Sequence, residues 1–175
     1  ALALLDLQGS PLSTAFNEDL FWGSGHGLQF LNVLMMFAAW FLLSGVVTGG
    51  SGAPLVNGNL YRFAAILVLL FSLAVPGFYF VFEPFSAEQT GAFTYLQYAF
   101  GPAALIMIAG LVAGIFRLKV SLSSLPWGNP AFLFLVLSPS LFIVGGIFGL
   151  FVDGADTRIP SHYHGFIAVI NVPFI

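Results

Sequence analysis

Five long apolar stretches, separated by short polar segments, dominate this sequence. They cover roughly residues 20–47, 60–82, 91–116, 130–152 and 160–175. A helix rises only about 1.5 Å per residue, so it needs about 20 apolar residues to cross the hydrocarbon layer of a bilayer. Hydrophobic residues make up 59% of the chain and charged residues only 6%, which excludes an ordinary soluble domain. We therefore predict an all-α integral membrane bundle, with about five transmembrane helices in a single transmembrane domain over 1–175.

Both ends of the sequence are apolar. The first residues, Ala-Leu-Ala-Leu-Leu, resemble the tail of an apolar segment, and the stretch 160–175 is shorter than a full span. We expect the chain to be a fragment of a larger helical bundle.

The few charged side chains are distributed unevenly between the loops. If the five spans alternate in direction, Arg62, Arg117 and Lys119 lie on one side of the membrane. The opposite side receives Arg158 and all of the acidic residues, namely Asp6, Glu18, Asp19, Glu83, Glu88, Asp153 and Asp156. Because basic loops stay cytoplasmic, this pattern predicts that the side with Arg62, Arg117 and Lys119 faces the cytoplasm. We expect the membrane to be a bacterial inner membrane or its equivalent. Four basic residues and a net charge of −3 argue against nucleic acid as a partner, and we expect lipid to surround the bundle.

Two histidines, His162 and His164, stand two residues apart at the start of the last apolar stretch. On a helix, positions i and i+2 point about 200° apart, so the two imidazoles leave opposite flanks and cannot chelate one ion together. An imidazole in a membrane helix needs a partner, and haem iron is a common one. One helix could thus hold two haems, bound noncovalently because the sequence has no cysteine. The alternative is a pair of interfacial histidines that bond to lipid headgroups or to Asp156.

Two motifs carry a resemblance to a known family. Asp156-Thr157-Arg158-Ile159-Pro160-Ser161-His162-Tyr163-His164-Gly165 resembles the histidine-x-histidine helix of the haem-copper oxidase and nitric oxide reductase superfamily, in its catalytic subunit I. Phe21-Trp22-Gly23-Ser24-Gly25-His26-Gly27-Leu28-Gln29-Phe30 is similar to the helix that bears the first ligand of the non-haem metal in that subunit. The resemblance covers the middle of subunit I, roughly half of its length.

The resemblance implies a role for each histidine. His162 would bind the high-spin, reactive haem, His164 the low-spin, electron-donating haem, and His26 the non-haem metal. The two haems would be of a or b type, within a respiratory complex that contains other subunits and receives electrons from cytochrome c or quinol. The activity implied is that of an oxidoreductase that passes electrons to oxygen or nitric oxide.

Two candidate residues keep alternative interpretations at this point. Arg158 could pair with a haem propionate or with Asp153 and Asp156. Trp22, His26 and Gln29 lie on one helix face, at i, i+4 and i+7, and that pattern is also typical of an interfacial aromatic belt with interhelical hydrogen bonds. By the charge pattern, all three histidines of the chain lie near the outer ends of their spans.

The sequence also departs from the family in ways that affect the chemistry. The next span, 61–82, contains no histidine, although the family takes two further copper ligands from that helix. The oxidases place a tyrosine four residues after the first histidine, where this chain has Phe30. A copper site is therefore doubtful, because one imidazole alone holds copper poorly. Two further functions remain open: a non-catalytic electron-transfer or assembly subunit without copper, and a cofactor-free transporter or scaffold.

Overall fold

A computed structural model describes residue 5 and residues 7–9, 11–49, 53–119, 121–151 and 168–170. The helices in these ranges are α1 (Thr14–Val47), α2 (Gly58–Ser72), α3 (Ala74–Val81), α4 (Ala87–Leu96), α5 (Phe100–Arg117) and α6 (Pro130–Leu150). Two short 3₁₀ turns, Gln97–Ala99 and Leu122–Ser124, precede α5 and α6. The described part of the chain contains no β-strand.

Four of the helical segments are long and apolar enough to cross a membrane. They are Asp19–Val47, Gly58–Val81, Ala87–Arg117 and Pro130–Leu150. The prediction of an all-α membrane bundle is confirmed by these helices. The expected fifth span, 160–175, lies outside the described residues except for the helical residues 168–170.

Side-chain caps and prolines set the limits of the helices. Ser13, Asn57, Ser86 and Asn129 each accept a hydrogen bond from a free main-chain N–H in the first turn of the helix that follows. The second span is interrupted at Leu73, three residues before Pro76, because proline cannot donate the hydrogen bond that would continue the helix.

Helix α1 lies at the centre of the described bundle and contacts α2, α4, α5 and α6. Its buried face packs against small and medium side chains of α5 and against Leu135 and Phe142 of α6. The core residues of α1 are Phe30, Val33, Met36, Phe37 and Trp40, and those of α5 include Ala103, Ala104 and Met107. Large apolar side chains also cover the outside of the bundle, as at Phe63, Leu69 and Leu70 of α2, which suits contact with lipid tails.

Pairs of glycines four residues apart permit two close contacts, one with the loop before α2 and one with α3. A Cβ atom on Gly114 of α5 would overlap the main-chain oxygen of Leu55, and one on Gly27 of α1 would approach a methyl group of Val75 to 3.1 Å. Gly110 and Gly23 complete the two small-xxx-small patterns, which let backbones approach closely in membranes. Arg117 also donates a hydrogen bond from Nη2 to the oxygen of Leu55, at 2.6 Å.

A buried hydrogen-bonded chain joins three segments of the bundle. The indole Nε1 of Trp40 donates to the hydroxyl of Ser138, and that hydroxyl donates to the main-chain oxygen of Val169, each over 2.8 Å. All three residues are fully buried. This contact ties the helical residues 168–170 to α6 and α1.

Candidate functional site around His26

His26 lies on α1 and is half-buried where α1 meets the end of α4. Its Nδ1 atom is 2.7 Å from the main-chain oxygen of Trp22, one helical turn earlier. A carbonyl oxygen can only accept, so Nδ1 carries the proton, and in the neutral ring Nε2 keeps its lone pair. The same second-shell contact orients histidines that bind a metal through the other nitrogen. Nε2 is therefore the atom of His26 that can accept a proton or a ligand bond.

Aromatic side chains line the sides of the His26 ring. The ring centroid of Trp22 lies 4.8 Å from that of His26, and the centroid of Phe93, from α4, lies 6.2 Å away. Phe93 is almost completely buried and also contacts Tyr79, with 5.6 Å between the ring centroids. Phe93 thus contacts both the imidazole of His26 and the phenol ring of Tyr79 on α3. The rings of Trp22 and Phe93 limit the access of water to His26.

Main-chain contacts hold this group of helices together. The Nε1 atom of Trp22 donates to the oxygen of Thr90 over 3.4 Å, and the Nε2 atom of Gln97 donates to the oxygen of His26 over 3.2 Å. A Cβ atom on Gly23 would come within 2.9 Å of the Phe93 ring and would overlap the hydroxyl of Tyr79. Only glycine at position 23 therefore lets Tyr79 lie against α1, one turn before His26.

A small cavity of about 190 Å³ opens beside Trp22. Its walls come from α1, α3, α4 and the loop before α4, and the residues that line it are Asp19, Trp22, Gly23, Tyr79, Phe85, Gln89, Thr90 and Phe93. The buried Gln89 is held on both sides, since its Oε1 accepts from the Phe85 N–H at 2.9 Å and its Nε2 donates to the Phe78 oxygen at 3.3 Å. With one carboxylate, one phenol and several carbonyl groups nearby, the cavity suits water or a small polar solute.

One polar candidate from the sequence has a different partner. Gln29 shares a helix face with His26, but its Oε1 accepts a hydrogen bond from the Asn32 side chain at 3.3 Å. Three residues that contact or surround the site, Gln89, Phe93 and Gln97, were not among the sequence candidates. Each stands far from His26 in sequence, and the signal available for them was only the polar character of the two glutamines in an apolar chain.

The described residues place few metal-binding atoms around His26. The described part of the chain has no group of three or more His, Cys, Asp or Glu side chains that could hold a metal ion. The neighbours of His26 offer carbonyl, phenol and amide oxygens, whereas copper prefers several imidazole or sulfur ligands. His26 as a metal ligand therefore stays a prediction from the motif.

His162, His164 and Arg158 lie outside the described residues, as do Asp153 and Asp156. The expected ligation of two haems by the histidine pair, and the pairing of Arg158 with a propionate or with the two aspartates, therefore stay predictions. The nearest described residues beyond the pair are 168–170, where Val169 accepts the hydrogen bond from Ser138.

The fold and the composition define a helical integral membrane protein. The chain is 29% identical over 166 residues to cytochrome c oxidase subunit 1 of Thermus thermophilus, a match that covers 84% of this chain and 29% of that protein. It is 31% identical over 158 residues to an uncharacterized protein of Aquifex aeolicus, covering 90% of this chain and 36% of the relative. An uncharacterized protein of Rickettsia prowazekii is 24% identical over 191 residues, covering 95% and 37% of the two chains.

The chain thus spans about a third of the length of the curated relatives it matches. No family model and no solved structure matches it. The similarity to the Thermus thermophilus oxidase subunit is distant and partial.

Proposed function

We propose that this chain is the haem-binding part of a respiratory membrane oxidoreductase, similar to subunit 1 of cytochrome c oxidase, that passes electrons to oxygen or nitric oxide. The observation that carries the proposal is the similarity to the Thermus thermophilus subunit over 84% of the chain. The histidine-x-histidine motif at His162 and His164 and the separate motif at His26 support it, because the resemblance gives both a role in this type of enzyme.

The sequence offers side chains for noncovalent haem of a or b type. His162 and His164 each provide one imidazole, on opposite flanks if the segment is helical, and Arg158 provides a cation for a propionate. Bound haem would supply one-electron transfer at its iron. The described residues would contribute the orientation of His26 through the Trp22 carbonyl and the partial exclusion of water by Phe93.

The same proposal includes a location and partners. The end of the bundle with Arg62, Arg117 and Lys119 would face the cytoplasm, and the end with His26 would face the outside of a bacterial inner membrane or its equivalent. The Arg117–Leu55 contact lies at one end of the bundle and the Trp22–Thr90 contact at the other, which supports this separation of the ends. The expected partners are other subunits of a respiratory complex and a cytochrome c or quinol that donates electrons.

The test is a haem analysis of the purified full-length protein in detergent. A pyridine haemochrome spectrum should give two haems per chain. The variant His164→Ala should lose the low-spin signal, and His162→Ala should lose the signal that responds to carbon monoxide. Both variants should abolish consumption of oxygen and nitric oxide.

Two results would contradict the proposal. A wild-type protein without haem would indicate a transporter or scaffold. Two haems with no consumption of oxygen or nitric oxide, whichever electron donor is supplied, would indicate an electron-transfer or assembly subunit.

A further inference from the structure

The buried hydroxyl of Ser138 donates a hydrogen bond outside its own helix. Ser140, two residues later on α6, donates its hydroxyl to the Val136 oxygen of its own helix at 2.8 Å, as serines in membrane helices commonly do. Ser138 instead donates across the interface to the Val169 oxygen at 2.8 Å. The single proton of this hydroxyl therefore serves a second segment of the chain.

The sequence explains why Val169 needs this donor. In an α-helix the oxygen of residue 169 would accept from the N–H of residue 173, and residue 173 is proline, which has no N–H. A main-chain oxygen without a partner is costly inside a membrane bundle, and Val169 is fully buried. The hydroxyl of Ser138 supplies a hydrogen bond to this oxygen.

Trp40 completes the arrangement from the other side. Its Nε1 donates to the Ser138 hydroxyl at 2.8 Å, so the hydroxyl accepts one hydrogen bond and donates another. The indole N–H can only donate, so the Ser138 hydroxyl accepts from Trp40 and donates its own proton to the Val169 oxygen. The described residues contain no buried side-chain nitrogen or oxygen that lacks a partner.

We infer that Ser138 is a positioning residue: its hydroxyl replaces the N–H that Pro173 cannot provide and thereby holds residues 168–170, which follow the histidine pair, against α6 and α1. Val169 stands five residues after His164 and seven after His162, so only a short stretch of chain joins residues 168–170 to the histidines. The effect on haem rests on the proposed function, whereas the hydrogen bond and its role in docking the segment do not.

The test compares Ser138→Ala with Ser140→Ala in the full-length protein, by hydrogen exchange of peptides that cover residues 165–175. Loss of an interhelical hydrogen bond in a membrane bundle should speed exchange in this region by about three- to tenfold. Ser138→Ala should show this increase, and Ser140→Ala should not, since its hydroxyl bonds within α6.

A second substitution tests the role of the proline. Pro173→Ala restores an N–H four residues after Val169, so the double variant Ser138→Ala/Pro173→Ala should exchange at nearly the wild-type rate. If Ser138→Ala fails to insert, Ser138→Cys retains a weaker donor and should give an intermediate rate that Pro173→Ala again corrects. Exchange that is unchanged in Ser138→Ala, or an increase that Pro173→Ala leaves in place, would overturn the inference.

The haem spectrum separates this inference from the proposed function. If the wild type holds haem, Ser138→Ala should shift the low-spin absorption band, and Pro173→Ala should reverse the shift. A protein without haem that still shows the exchange pattern would refute the proposed function and support the positioning role. If the protein holds haem and Ser138→Ala changes neither the exchange rate nor the spectrum, the proposed function is supported and the positioning role is refuted.

Discussion

His26 and Trp22 are joined by a hydrogen bond between a side chain and the main chain of the same helix, with 2.7 Å from Nδ1 to the Trp22 oxygen. This bond fixes the ring beside the Trp22 indole, at 4.8 Å between centroids. Because Nδ1 is engaged, any ligand or proton must come to Nε2. The position of Nε2 on α1 is thus set by local helix geometry and does not depend on a cofactor.

The first prediction concerns the separation of His26 from the low-spin haem. His26→Ala should leave the low-spin absorption spectrum nearly unchanged, because the ligand expected for that haem is His164, on another segment. Optical spectra of the reduced and oxidised protein check this, with His164→Ala as the variant that should lose the signal. One stoichiometric copper per chain that disappears in His26→Ala would instead restore a complete oxidase metal site.

The second prediction uses two glycines of the same helix turn. Gly23→Ala should destabilise the protein by about 1–3 kcal/mol, because the new methyl group overlaps the Tyr79 hydroxyl and the Phe93 ring. Gly25→Ala is the matched control, since a Cβ atom there has no other atom within 4 Å, and alanine favours the helix by roughly 0.5–1 kcal/mol. Unfolding in mixed detergent micelles measures both. Equal stability of the two variants would show that α3 does not lie against α1 at Gly23.

The third prediction applies the same comparison at the other end of the bundle. Gly114→Ala should destabilise the protein by about 1–3 kcal/mol, because the methyl group would meet the backbone of Leu55 rather than a flexible side chain. Gly110→Ala, one turn earlier on α5, would meet only side-chain atoms of Val56 and Leu60, at 3.5 and 3.6 Å, and should cost much less. Proteolysis of the segment before α2 would check that the loss comes from displacement of Leu55. A stable Gly114→Ala protein with an unchanged cleavage rate would contradict this packing.

The fourth prediction concerns orientation in the membrane. Glu88 and Ser123 are both exposed and lie in segments assigned to opposite sides. In a background without other reactive cysteines, Glu88→Cys should react with an impermeant maleimide added outside the cell, and Ser123→Cys should react only after the membrane is opened. The reverse pattern would mean that the His26 end faces the cytoplasm.

Much of the fold follows from local features of the sequence. The apolar stretches predicted helical spans because a buried backbone in lipid must form its hydrogen bonds internally, and the structure has four such helices in its described part. The interruption of the second span at Leu73 has a local cause as well, the proline at position 76. These features depend on residues close in sequence, which is why one sequence suffices to predict them.

The surroundings of His26 were less predictable. Spacing along α1 grouped Trp22, His26 and Gln29 on one face, and the structure brings the Trp22 and His26 rings together but pairs Gln29 with Asn32. Phe93 and Gln97 reach the site from 67 and 71 residues away, and helical periodicity carries no information about contacts between helices. The same holds for the Trp40–Ser138 bond, which joins residues 98 positions apart.

The length of α1 has a consequence for access to His26. From Val47 to Trp22 is 25 residues, or about 38 Å along the helix axis, whereas the hydrocarbon layer is only about 30 Å thick. With Val47 at one edge of that layer and the helix upright, Trp22 and the cavity beside it stand at the level of the opposite headgroups, and His26, at about 32 Å, lies at the boundary. A hydrophilic solute or a proton could then reach the mouth of this cavity from the aqueous phase without dissolving in the lipid tails.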